Sequence, residues 1–152
     1  AQEHFMSNLI RQKLIVAIDG QIYKGGGKKF LLYLPEGEWH EISILFAAYL
    51  IKLKGHKLIY LGQNTPDEDL QIVYRLHQPE FLMTVITTSP NSEEVQDYIY
   101  SISERFKNSE IILSGYQIVG QDLDFPKNVR AMHYAKQLKE FIEEMDLALQ
   151  EK

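Results

Sequence analysis

Apolar residues recur along this chain in two rhythms. Phe5, Leu9, Ile10, Leu14, Val16 and Ala17 fall near helical spacing, so the run AQEHFMSNLIRQKLIVAI is predicted to be a helix that Asp19-Gly20 ends. Such a helix needs a partner to cover its apolar residues. GQIYKGGGKK follows, and its three consecutive glycines, Gly25 to Gly27, read as a flexible joint. The domain boundary is placed there, with a helix and Gly-rich linker over residues 1–28 and the main domain over residues 29–152. A phosphate-cradling loop is the competing reading of the glycines. No Walker lysine and serine follow at the required spacing, and Lys28-Lys29 lead into a strand rather than a helix.

Beyond the joint, short apolar runs alternate with helical stripes. Phe30 to Leu34 is an apolar run closed by Pro35, and Glu41 to Lys54 carries Ile42, Leu45, Phe46, Tyr49, Leu50 and Leu53 on one helical face before Gly55. Leu58 to Leu61 is predicted as the second strand, Asp67 to Leu76 as a helix opened by Pro66, and Phe81 to Ile86 as the third strand. Asn91 to Phe106 then reads as helix, Ile111 to Leu113 and Val129 to Met132 as strands, and Tyr134 to Gln150 as the closing helix. Its stripe is Leu138, Phe141, Ile142, Met145 and Leu149. Strands too apolar to face water on either side imply an α/β fold, a doubly wound five-stranded parallel sheet between helices. In the flavodoxin-like order 2-1-3-4-5, ligands bind at the carboxyl edge where the chain leaves strands 1 and 3 for opposite faces. The segments reaching that edge are Pro35 to Ser43, Thr84 to Pro90, and Ser114-Gly115-Tyr116.

Composition narrows the function. At 152 residues the chain fits one domain, and with 45% hydrophobic residues it lacks any run long enough to span a membrane. It has no cysteine, which removes disulfides, thiolate metal sites and cysteine nucleophiles and fits a cytoplasmic location. A net charge of −5 is the wrong sign for neutralising phosphates, so this piece alone is not expected to bind DNA. Nine tyrosines include Tyr33, Tyr60, Tyr98 and Tyr116, yet basic residues do not interleave with them as stacking platforms require.

His40 carries most of the chemical promise. An imidazole on a loop at that edge can ligate a metal through one nitrogen while the other donates to a carboxylate, and Glu38 is the candidate carboxylate. Spacing alone equally allows both residues to sit solvated in the first turn of a helix. Trp39 either covers a cofactor face or plugs a gap in the scaffold. His56, His77 and His133 lie at element ends without a metal-ligand partner at a telling spacing, and are read as solvated.

The stretch EWHEIS, then 40 residues, TVI, 27 residues and SG resembles the cobalamin-binding signature. That signature is Asp-x-His-x-x-Gly, Ser-x-Leu and Gly-Gly, separated by about 41 and about 27 residues. LPEGEWHEIS and GHKLIYLGQNTPDEDL further resemble the cobalamin-binding C-terminal effector domain of MerR-family transcriptional regulators, including the light-responsive type. The resemblance implies that His40 is the cobalt ligand, with Glu38 its partner. It also implies that Thr84, Ile86, Ser114 and Gly115 wall the pocket for the displaced nucleotide tail. The first helix resembles the last helix of the family's four-helix bundle, which would bring Glu3 and His4 to the cofactor from above. Ser43 and Ser114 stand where the family has glycine, so their side chains are expected to crowd the tail.

The function so implied is effector sensing. Cobalamin, adenosylcobalamin or a related form, binds through His40 and controls oligomerisation and DNA binding by a longer protein. Partners are then cobalamin, further copies of the chain, and DNA only through an N-terminal domain not present here, with no membrane contact and no enzymatic role. Light sensitivity follows from the subgroup resemblance, and no residue here encodes it. The alternatives are a cobalamin-carrier subunit of a mutase or methyltransferase, and a cofactor-free interaction module that kept the fold.

Overall fold

The computed structural model describes residues 2–21 and 25–150, with the backbone alone for residues 135 and 146–150. Residues 22–24 of the predicted joint and the Leu149 end of the last stripe therefore lie outside the described parts. Helix α1 (Gln2–Asp19) precedes β1 (Lys29–Pro35), α2 (Ile42–Leu53), β2 (Lys57–Thr65), α3 (Asp67–His77), β3 (Phe81–Val85), α4 (Val95–Arg105), β4 (Glu110–Ser114), β5 (Val129–Ala131) and α5 (Tyr134–Gln150). The strands form one parallel sheet in the order β2-β1-β3-β4-β5, as the alternation of runs predicts.

Both faces of the sheet are covered. Phe30, Leu32 and Leu34 of β1, Met83 and Val85 of β3, and Ile112 of β4 pack against α2 and α5. Leu31, Tyr33, Leu82, Ile111 and Leu113 pack with Leu70 of α3 and Val95, Ile99 and Ile102 of α4. This two-residue alternation between two buried faces is why the strand segments read as continuous apolar runs. Tyr134, at the start of α5, is pinned to the sheet because its buried hydroxyl reaches the carbonyl oxygens of Thr84 at 3.0 Å and Ile112 at 2.7 Å. Burial pushes that phenol's pKa up, so it stays a donor.

Two boundaries and the placement of one side chain differ from the sequence reading. Strand β2 runs on to Thr65 rather than stopping at Leu61, with irregular pairing to β1 where Gly62 (φ 84°) and Asn64 (φ 51°) take left-handed backbone. Helix α4 starts at Val95 rather than Asn91, because the Asn91 side chain accepts the N–H groups of Glu93 and Glu94 in a preceding turn. His56 is buried at 2% exposure rather than solvated; its Nδ1 accepts the Lys28 N–H, and its ring meets Phe30 edge-on.

Helix α1 docks by one side. Ile18 is buried and Leu14 and Ile15 pack against the α2 and α5 side of the core, while Phe5, Met6, Leu9, Ile10 and Val16 remain exposed. None of the described helices is long and apolar enough to cross a membrane.

Candidate functional site

Glu38, Trp39 and His40 lie in the loop between β1 and α2, ahead of the helix rather than in its first turn. The loop is shaped by its neighbours. Gly37 takes φ 85° and donates its N–H to the Asn64 side chain, and Asn64 donates its own N–H to the Glu38 carbonyl. Strand β2 thus clasps the loop from one side and the segment after β3 clasps it from the other.

The Glu38 carboxylate is fully buried. Its Oε2 accepts the backbone N–H groups of Thr87 at 3.0 Å, Thr88 at 2.8 Å and Ser89 at 3.0 Å. Its Oε1 lies 2.6 Å from His40 Nδ1. Burial by itself would raise the carboxyl pKa, but the donors of Ser89 and Thr88, then His40 and Thr87, outweigh it and hold the group down at about 2. An ionised Glu38 accepts from Nδ1–H, the arrangement that directs the other ring nitrogen, Nε2, outward as the one available to a ligand. That ring is half-exposed.

His40 lines a cleft of about 630 Å³ whose other wall is α1, through His4, Ser7, Asn8 and Arg11. Trp39, Glu41, Ile42, Ser43 and Gln63 complete it. Trp39 is 58% exposed, so it walls the cleft and plugs no gap in the scaffold. Of the two α1 residues assigned to the cofactor, His4 reaches the cleft and Glu3 does not line it. Arg11 Nε donates to Glu41 Oε2 at 2.6 Å and Tyr60 donates to Glu41 Oε1 at 2.6 Å. Burial, then the Glu41 carboxylate, pushes the Tyr60 phenol up, keeping its donor proton. Sequence reasoning missed Arg11, Glu41 and Tyr60, because their encounter joins three elements far apart in the chain.

A second opening, of about 380 Å³, lies at the carboxyl ends of β3 and β4 under α5. Ser43, Ser114 and Gly115 line it, together with Val85, Thr87, Tyr116, Val119, His133 and Tyr134. Ser43 borders both openings. Thr84 and Ile86 do not line this second opening. Both are fully buried, Ile86 belongs to the opposite core face, and the slot carries their neighbours instead, since strand side chains alternate. Gly115 is required by geometry, with φ 106° and a Cβ position only 2.4 Å from the Ile86 carbonyl oxygen.

These residues fit a corrinoid. The donor set is an imidazole clamped by a buried carboxylate, and the slot beside it closes on a glycine that brings two backbones together. Among the described residues no group of three or more His, Asp or Glu could hold a metal ion.

No protein-family model matches the chain. It is 38% identical over 71 residues to the HTH-type transcriptional repressor CarA of Myxococcus xanthus, covering 47% of this chain and 25% of CarA. It is 30% identical over 97 residues to the repressor CarH of the same organism, covering 64% of this chain and 32% of CarH. Over part of its length, the chain is homologous to the CarA and CarH repressors. It spans a quarter to a third of the length of these curated relatives, which are transcriptional repressors and not enzymes.

Solved structures agree on the fold. The monomethylamine corrinoid protein of Methanosarcina barkeri superposes with a TM-score of 0.67 at 14% identity, over 92% of this chain and 67% of that one. The methanol:cobalamin methyltransferase complex MtaBC of the same organism gives 0.61 at 13% identity, over 80% and 48%. A cobalamin-binding protein of Desulfitobacterium hafniense gives 0.54 at 17%, over 76% and 58%. The CarA and CarH homologue described here therefore shares the Rossmann-like fold of these proteins.

Proposed function

We propose that this chain is the cobalamin-sensing module of a transcriptional regulator. The observation that carries the proposal is the His40–Glu38 pair, a half-exposed imidazole whose Nδ1 is clamped at 2.6 Å by a carboxylate that three backbone donors keep ionised. In this reading His40 ligates cobalt through Nε2 in the cleft beneath α1, Trp39 and Ser43 border the corrin, and the nucleotide tail enters the slot beside Ser114 and Gly115. His4, with Glu3 nearby on the same helix, faces the cofactor from α1. Cobalamin supplies a metal centre and, in its adenosyl form, a light-labile cobalt–carbon bond. The chain's own residues bind the ring, set the imidazole tautomer and move α1 relative to the sheet.

Homology to repressors favours a regulator over a carrier subunit of a methyltransferase or mutase. The exposed apolar residues of α1 suit the last helix of a bundle completed elsewhere in a longer, oligomeric protein that contacts DNA through another domain. Titration with hydroxocobalamin and adenosylcobalamin tests the reading, using the absorption spectrum and quenching of the single tryptophan, Trp39. The expected result is a histidine-ligated spectrum with co-elution of cofactor, both lost in His40→Ala, and a spectrum of the adenosyl form that changes on illumination. A folded chain that retains neither form, alone and in the full-length protein, would instead identify a cofactor-free interaction module.

A further inference from the structure

Glu41 follows the proposed cobalt ligand directly and lines the same cleft. Its carboxylate is 6% exposed and takes one short hydrogen bond on each oxygen, from Arg11 of α1 and from Tyr60 of β2, both at 2.6 Å. Its carbonyl accepts the Leu45 N–H in the first turn of α2. Three elements that share no local sequence therefore converge on the residue adjoining His40.

Helix α1 has little else to hold it over the cleft. Its inner apolar contacts, Leu14, Ile15 and Ile18, lie in its C-terminal half, beyond Arg11, whereas residues 2–10 are exposed along their whole length. Arg11 is the last tether before the part of the helix that walls the cleft through His4, Ser7 and Asn8. A charge-assisted hydrogen bond to a buried carboxylate is directional and strong enough to fix such a segment. Tyr60 fixes the other oxygen, so the carboxylate cannot follow Arg11 if the helix lifts.

We propose that Glu41 is a positioning residue, which latches α1 to the sheet through Arg11 and Tyr60 and so sets the separation between α1 and the His40 loop. The latch rests for its purpose on the reading of the cleft as a corrin site. It joins the ligand loop to the helix whose displacement would be felt outside this domain.

The chain has no cysteine, so spin labels at Gln12→Cys on α1 and Glu104→Cys on α4 report the distance between helix and domain without background. The wild-type background is expected to give a narrow distance distribution, and Arg11→Met and Glu41→Gln broad ones. The double variant should be no broader than either single, because the two residues act as one unit. Hydroxocobalamin should bind Arg11→Met about tenfold more weakly, the size expected for a lost hydrogen bond to a charged group. The saturated spectrum should be unchanged, because the His40–Glu38 pair is intact, and this a general loss of structure would not preserve. Narrow distributions in both single variants, or broadening that adds in the double, would overturn the latch. If wild type binds no hydroxocobalamin but Arg11→Met still broadens the distribution, the corrin reading fails while the latch stands.

Discussion

At the scale of single residues, the site is organised around buried charge. Glu38 has a pKa held at about 2, below its ordinary value of 4.5, so its ionisation stabilises the fold fully above about pH 4.5 and this contribution fades as pH falls toward 2. The shift corresponds to on the order of 3 kcal/mol. Urea unfolding of the cofactor-free chain at pH 7 and at pH 3 should show a drop that Glu38→Gln largely lacks. An equally steep drop in that variant would place the acid sensitivity elsewhere. Gly115→Ala should cost more than about 2 kcal/mol, because the added methyl meets the Ile86 carbonyl at a backbone angle that L-residues rarely adopt. A urea midpoint within error of wild type would mean that the β3 and β4 ends separate freely.

At the scale of elements, α1 is the informative one. Apolar residues on both its sides make it look like a core helix, yet only Leu14, Ile15 and Ile18 meet the domain. Ile18→Ala is therefore expected to destabilise by about 2 kcal/mol, the low end for a buried isoleucine because it sits at the edge of the core. Val16→Lys, at 71% exposure, should change stability by less than about 0.5 kcal/mol in this chain. Denaturant midpoints of the two variants check both values; a large loss for Val16→Lys would show that the outward face is already covered. The strands were legible because each is buried on both faces. The extension of β2 to Thr65 was not, since Gly62 and Asn64 read locally as turn residues and only pairing with β1 keeps them in the sheet.

At the scale of the whole molecule, the cleft and the slot meet at Ser43, which lines both. Ser43 is exposed on the first turn of α2, so Ser43→Trp can obstruct the junction without entering the core. The expected outcome is loss of hydroxocobalamin binding with retention of diaquocobinamide, which lacks the nucleotide tail, both followed by the corrinoid absorption spectrum and co-elution. Equal loss of both would mean that the ring, not the tail, passes Ser43, and equal retention would remove the slot from the binding path.

The order of strands and the pairing of His40 with Glu38 in the loop after β1 were determined by the sequence itself. Hydrophobic period reports burial on one or two faces, and a short motif within one loop brings its own residues together. What the tertiary structure decided are the relations between distant segments and the facing of side chains. Strand alternation put Val85 and Thr87 rather than Thr84 and Ile86 on the slot, a one-residue difference that spacing alone does not resolve. The three backbone donors to Glu38, the burial of His56 and the meeting of Arg11, Glu41 and Tyr60 depend on loops and strands that approach only when the sheet is assembled. Their partners lie up to 51 residues apart, beyond the reach of any local pattern.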